Sequence, residues 1–325
     1  MPTILDSPPA NVRNDLDALR NGLDTFIPRK NAGDLLIATW NLRMFSSLTR
    51  KWTAQASDTP KRDLRGLLAI GEIVSRFDVV ALQEVMGDLR ALRDLLLLLG
   101  ERWAFLMTDV TLGQAGNHER MAFLFDLERV RPSGLACELV VPPEWEKEIE
   151  ATALRRQFAR TPYAVSFKTG AATFILVTLH VEYGRDAAGR VPELRGIARW
   201  MAEWAARENR WHHNLLTLGD FNIDRHGDDL WRAFTSTGLH VPADLVSLPR
   251  TIFSEPGNPD TGKFYDQVAW FQEGSRRLLS MEYLSGGNFD FLPYVYTDAN
   301  LSRNSISFRV SDHYPLWARF GIDRT

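Results

Sequence analysis

The chain has 325 residues, 45% of them apolar, and a formal net charge of −3 at pH 7. Such a length suits two average domains or one large α/β domain, and the apolar fraction excludes a disordered tail. The charge excludes a protein that holds polyanions by bulk charge alone. The longest uninterrupted aliphatic run, Leu95 to Leu99, falls far short of the roughly 20 apolar residues that cross a bilayer, so no membrane span is expected.

In chain order, residues 1–34 stand apart as an N-terminal extension lying on a domain of residues 35–325. Leu16, Leu19, Leu23 and Phe26 line one face of a helix there, and nothing in the segment carries chemistry. The N-terminus has acids and prolines where a secretory signal would have a basic start and an apolar stretch. Cys137 is the only cysteine, which excludes an intrachain disulfide. Both features point to a cytoplasmic protein, although a chain whose signal had been removed would read the same.

From Asp34 onward apolar runs alternate with helical stretches. LLIATWNL, DVVALQEV, AFLMTDV, MAFLFD, GLACELVV, YAVSFKT, TFILVTLHV, NLLTLGDF, YDQVAWF and YPLWARF are rich in β-branched and aromatic residues and are expected as strands. Helices are expected over Pro60 to Phe77, Asp88 to Leu99 and about Pro192 to Glu208, with a short one from near Asp228 that stops at Gly238. Pro192 suits the first turn of its helix, where the amide hydrogen it lacks would be unpaired. Residues 46–60 and 285–310 read as loop insertions. Around ten strands and a few helices imply two packed sheets covered by helices.

The residues at the strand ends suggest chemistry. LLIATW runs into Asn41, DVVAL into Gln83 and Glu84, FILVTL into His180, and NLLTL into Gly219, Asp220, Phe221 and Asn222. Asp and Asn are also ordinary turn residues, so no single one of these is decisive. Tyr265-Asp266-Gln267 opens a further strand and Ser311-Asp312-His313 precedes the last. Strand ends of α/β sheets are where ligands collect. Convergence of Glu84, Asp220, Asp266 and Asp312 would be mutually repulsive without a divalent cation, and oxygen ligands suit Mg²⁺, Mn²⁺ or Ca²⁺. Two basic clusters, Arg43 to Arg65 and Arg155 to Lys168, read either as solvated faces or as phosphate contacts beside the site.

The ordered set WNLRMF, ALQEV, NHERMAFLFD, FARTPYAVSF, TLHVEYG, LGDFNID, YDQVAW and SDHYPLW resembles the endonuclease/exonuclease/phosphatase superfamily, within it the deoxyribonuclease I type, over about Asp34 to Phe320. The resemblance implies a four-layer α/β/β/α sandwich with two packed mixed β-sheets and metal-dependent cleavage of phosphate esters. By position it assigns Asn41, Glu84 and Asp312 to the metal, with Mg²⁺ or Mn²⁺ the expected ion and Ca²⁺ a further candidate. Asp220 and Asn222 match the pair that activates the attacking water. His180 and His313 match the histidines flanking the scissile phosphate, and Glu119 and Asp266 the acids that orient them. Arg160 matches a phosphate contact. Arg43, two residues after Asn41, is a second candidate contact or a surface ion pair. His212, His213, His226 and His240 read as structural or surface residues.

The chain departs from the pattern at Gln267, where the superfamily often has His or Arg, and at Asn117, where the deoxyribonuclease motif has a substrate-contacting Tyr. The implied activity is that of a metal-dependent phosphodiesterase, a deoxyribonuclease-like endonuclease with DNA as its partner. Hydrolysis of another phosphoester, such as a phosphoinositide, a phosphocholine lipid or a nucleotide derivative, is the rival. Trp52 and Tyr294 are the aromatic residues in the loops that would favour the lipid. An inactive binding module would be expected to have lost part of the motif set, and nothing points to an obligate protein partner.

Overall fold

A computed structural model describes residues 1–110, 118–140, 160–170, 172–183, 187–206, 214–255, 262–272 and 279–322. The strands are β1 (Asp34–Phe45), β2 (Val79–Met86), β3 (Trp103–Met107), β4 (Glu119–Asp126), β5 (Arg131–Glu138), β6 (Tyr163–Thr169), β7 (Ala172–His180), β8 (Leu215–Asp220), β9 (Leu239–His240), β10 (Asp266–Phe271), β11 (Glu282–Asn288) and β12 (Leu316–Gly321). They form two six-stranded sheets, ordered β11-β12-β1-β2-β4-β3 and β5-β6-β7-β8-β10-β9. Both are mixed, because β1 and β2 run parallel in one and β7 and β8 in the other. The expected sandwich is therefore present.

The period-2 alternation of strand side chains builds the layers. Leu35 and Ile37 of β1 face the core between the sheets, while Leu36, Ala38 and Trp40 face the helices α1 (Ala10–Phe26), α2 (Leu64–Val74) and α3 (Arg90–Leu99). Both faces of β1 are thus apolar and buried, which is why its sequence reads as a continuous hydrophobic run. Helices α4 (Ala187–Ala206) and α5 (Asp229–Phe234) cover the second sheet, with Leu194, Ile197, Met201 and Trp204 on the packed face.

Several boundaries differ from expectation. Helix α2 begins at Leu64, where the Asp63 side chain accepts from the Gly66 amide at 2.9 Å and so caps the first turn. Pro192 lies inside α4, not in its first turn, because the helix already starts at Ala187. Phe26 is exposed, while Leu16, Leu19 and Leu23 are buried. Part of the expected 285–310 loop is strand β11, whose glycines Gly286 and Gly287 hide its strand character yet let it lie against Trp317: a Cβ on Gly287 would meet that ring at 2.6 Å. The same segment carries the short helix α6 (Arg303–Ser307). Asp15 of α1 accepts from the backbone of Tyr296 and pairs with the buried Arg65 at 2.6 Å, tying the N-terminal helix to α2 and to the segment that follows β11. No described helix is long and apolar enough to cross a membrane.

Candidate active site

Two topological facts gather the polar strand ends. The parallel pairs β1/β2 and β7/β8 place two C-terminal ends side by side in each sheet, with Asn41 opposite Gln83 and His180 opposite Asp220. Their antiparallel neighbours begin where they end: Asp266 opens β10 opposite Asp220, Glu119 opens β4 opposite Met86, and Asp312 and His313 precede β12, which pairs with β1. Stacking the two sheets then brings both sets of ends to one edge.

The local chain is shaped for this. Gly219 has φ +146°, and a Cβ there would lie 2.1 Å from the Leu179 carbonyl oxygen, so glycine is required for β8 to approach β7 just before Asp220. Arg43, Met44, Glu84 and Asn222 all have positive φ, and the ladders shift register between Asn41 and Phe45 and between Leu82 and Val85. Such strain persists only where surroundings over-determine it. Here the buried Arg62 holds the first segment, donating to the carbonyls of Leu42 at 2.5 Å and of Arg43, Met44 and Val310, each at 3.0 Å. The Met44 amide in turn donates to Glu84 Oε2 at 2.7 Å.

At the centre is Asp220, 2% exposed. His180 Nε2 and His313 Nε2 face the same oxygen, Oδ2, at 3.7 and 3.9 Å. Each ring is held from behind through Nδ1, His180 by Glu119 at 2.8 Å and His313 by Asp266 at 2.6 Å. That arrangement fixes ring orientation and turns Nε2 toward the site. Burial works against charging His180, and Arg160 does too, but the Glu119 hydrogen bond and the Asp220 charge outweigh both and its pKa is raised. Burial likewise opposes charge on His313, yet Asp266, Asp220 and Asp312 lift it well above the ordinary histidine range. Burial would raise Asp220, but the two imidazoles and hydrogen bonds from Asn222 and Asn41 hold it below the usual carboxylate value. Asp266 is pushed up to about 6 by burial, with His313 opposing. Near neutral pH the pair is therefore imidazolium and carboxylate.

Asn41 joins the sheets. Its Nδ2 donates to Glu84 Oε1 at 2.9 Å and to Asp220 Oδ2 at 3.1 Å. A position between two carboxylates is thus already filled by a donor, as their repulsion requires. Asp312 lies beside it, paired with Arg43 at 3.2 Å. Glu84, Asp312 and the Asn41 amide oxygen, which accepts from the Arg43 amide at 2.9 Å, are oxygen donors of the kind a hard divalent cation takes. Among the described residues no group of three or more His, Cys, Asp or Glu is placed to hold a metal, so any such site draws on the amide.

Other expected residues take more specific places. The backbone amide of Asn222 donates to Asp220 Oδ1 at 2.9 Å and its side chain to the Val181 carbonyl at 2.6 Å, so it orients Asp220 and ties β8 to β7. Arg160 is 6% exposed; it pairs with Glu119 at 2.8 Å and donates to the His180 carbonyl at 3.4 Å. Arg43 lies over the Phe308 ring at 4.0 Å and donates to Ser307 Oγ at 2.6 Å. The basic cluster around Arg43 is largely engaged within the chain: Arg62 and Arg65 are buried, Lys51 pairs with Asp58, and Lys61 binds backbone carbonyls. Arg155, Arg156, His212, His213 and Asn117 lie outside the described residues. Gln267 points inward, donating to the Phe264 carbonyl at 2.5 Å. Trp52 packs against the helix-side core and Tyr294 stacks on Phe289, so these two form no aromatic hairpin at the site.

Sequence reasoning missed the buried cations that hold the site. Arg250, fully buried, donates to the Asp266 carbonyl at 2.7 Å, and Arg190 donates to the Asn222 carbonyl at 2.7 Å. No periodicity marks a buried arginine, because its partners are carbonyls distant in sequence. Glu193 of α4 is also buried behind the His180 side, and burial pushes its pKa up to about 7.

Residues 38–313 match the model of the Endonuclease/Exonuclease/phosphatase family. A deoxyribonuclease of Thioalkalivibrio sp. (strain K90mix) is 26% identical over 312 residues, covering 92% of this chain and 74% of that protein. Solved structures that share the fold include two from different sources. A mannosyl-6-phosphatase of Bacteroides thetaiotaomicron VPI-5482 aligns with TM-score 0.56 and 16% identity, over 89% of this chain and 100% of its own. D. rerio TDP2 complexed with single-strand DNA product aligns with TM-score 0.56 and 12% identity, over 89% and 99%. With the match spanning both sheets and every strand end that contributes to the site, the chain belongs to the endonuclease/exonuclease/phosphatase family.

Proposed function

We propose that the protein is a divalent-metal-dependent phosphodiesterase that cleaves DNA internally. The carrying observation is the convergence of two acid-backed histidines on one oxygen of an ionised, buried Asp220. Asp220, oriented by the Asn222 amide, accepts a proton from the attacking water. His180 and His313, charged and aimed through Nε2, donate to phosphate oxygens, and such positioned donors act where negative charge develops. Glu119 and Asp266 hold the two rings, and Arg160 keeps Glu119 in place. Asn41, Glu84 and Asp312 would hold the cation, which when bound supplies neutralisation of a phosphate oxygen and of the leaving oxyanion. The choice of DNA is supported by the relative named a deoxyribonuclease.

The test is purified protein against plasmid DNA, single-stranded DNA, RNA, a phospholipid and a sugar phosphate, each with Mg²⁺, Mn²⁺, Ca²⁺ or EDTA. Metal-dependent nicking of supercoiled plasmid is expected, and Asp220→Ala should lower it by at least the roughly 10²- to 10⁴-fold typical of a positioned acid or base. Turnover confined to the lipid or the sugar phosphate refutes the choice of DNA. Full activity in EDTA refutes the metal.

A further inference from the structure

We infer that Tyr183 is a stacking platform for an unpaired nucleobase next to the scissile phosphate, which makes single-stranded or frayed nucleic acid the preferred substrate form. The inference rests on the nucleic-acid reading above and deepens it.

Tyr183 stands three residues beyond His180, and at 55% exposure it is among the large hydrophobic side chains most open to water. An exposed tyrosine is ordinary, but this ring is held in place. The buried guanidinium of Arg190 lies over it at 5.0 Å from the centroid, and Tyr265 meets it edge to face at 6.2 Å and 86°. Arg190 is itself fixed by the Asn222 carbonyl at 2.7 Å and by Asp224 at 2.5 Å. The orientation of Tyr183 is therefore coupled to the segment that carries Asp220 and Asn222.

Tyr265 extends the row inward, its ring stacked on His313 at 5.7 Å and 26°. An aromatic path of His313, Tyr265 and Tyr183 thus leads from the Nε2 that faces Asp220 out to solvent. Charge accompanies it. Asp224 is shared between Arg190 and Lys263, the latter at 2.8 Å, so the three groups carry a net positive charge. Lys263 lies 6.0 Å from the Tyr265 centroid and its side chain is 41% exposed. A pre-oriented π face beside a net positive charge, adjoining a phosphate site, matches a nucleotide, whose base stacks while its phosphates are attracted. The base must be unstacked on one face, which single-stranded or frayed nucleic acid allows at lower cost than a duplex, where both faces are covered by neighbours.

The experiment compares kcat/KM on a single-stranded oligodeoxynucleotide with that on the same strand carrying tetrahydrofuran abasic residues around the cleaved bond. Wild type should favour the base-containing strand by roughly 5- to 150-fold, the range that one base–aromatic stack supplies. Tyr183→Ala should collapse that ratio toward one, mainly through KM, while Tyr183→Phe and Tyr183→Trp retain it. Because the ratio is taken within each variant, partial misfolding does not mimic the result. A wild-type enzyme that cleaves both strands equally, or a Tyr183→Ala variant that keeps the wild-type ratio, overturns the platform and leaves the nuclease assignment standing. Cleavage of neither strand by a wild-type enzyme that still nicks supercoiled plasmid overturns the platform alone, and cleavage of neither strand nor plasmid overturns both.

Discussion

Replacing Asp266 by Asn removes a charge while keeping the shape of the side chain. Asp266 Oδ2 lies 2.6 Å from His313 Nδ1, and both residues are buried. With charge centres roughly 4 Å apart and an effective dielectric of about 20, the attraction is on the order of 4 kcal/mol. That corresponds to an upper limit of about three pH units, and opposite charges at such range commonly move a pKa by roughly 1–3. Burial already pulls the His313 pKa down and carboxylates raise it, so losing the nearest carboxylate lowers it. The catalytic form proposed for His313 is imidazolium, so activity is lost as pH rises through its pKa. Asp266→Asn should therefore move the alkaline limb of kcat/KM to lower pH by about one to three units. The assay is plasmid nicking as a function of pH for wild type and variant, with thermal unfolding of each to establish that both are folded. An alkaline limb that stays in place, with undiminished rate, would refute the claim that Asp266 holds the charge on His313.

Glu84→Gln should raise the metal concentration needed for half-maximal nicking and leave the unfolding temperature close to wild type, as read from a metal titration alongside a thermal melt. Arg160→Ala removes the guanidinium paired with the buried Glu119; removal of one partner of such a pair costs about 3–5 kcal/mol, so denaturant midpoint and kcat should fall together. If Arg160 served chiefly as a phosphate contact, KM and the salt dependence of DNA binding would change with stability intact. Glu193 has a folded pKa raised from 4.5 to about 7, so its contribution to stability is full below the unfolded value and is lost as pH rises through the folded one. Glu193→Gln keeps an acceptor for the Glu182 amide and should gain about 3 kcal/mol relative to wild type near pH 8.5 but not near pH 5, measured by urea denaturation at each pH. Equal midpoints for the two proteins at both pH values would show that Glu193 is solvated.

The two sheets were legible because their strands are long apolar runs bounded by polar residues. Strand β11 was not, since its glycines serve contacts with Trp317 that no local pattern reveals. The helix over α1 was visible in its leucine spacing, but its attachment through Asp15 to Arg65 and Tyr296 joins residues up to 281 apart. The basic cluster between Arg43 and Arg65 illustrates the opposite failure. Charge counted along the chain suggested a surface, whereas folding turned Arg62 inward to satisfy carbonyls that positive-φ backbone leaves outside the strand ladder.

By itself the sequence placed Asn41, Glu84, His180, Asp220 and His313 next to apolar runs, and such an edge is a local property of apolar and polar residues in order. Gly219 is readable before Asp220, but the reason it must be glycine, a Cβ that would lie 2.1 Å from the Leu179 carbonyl oxygen, belongs to the pairing of β8 with β7. Only the tertiary structure decided that His180 and His313 face one oxygen of Asp220, that Arg160 braces Glu119, and that Tyr183 is held open over Arg190. Those relations depend on which strands run parallel and how one sheet stacks on the other. Such long-range choices are set by burial of the whole core, and no single segment encodes them.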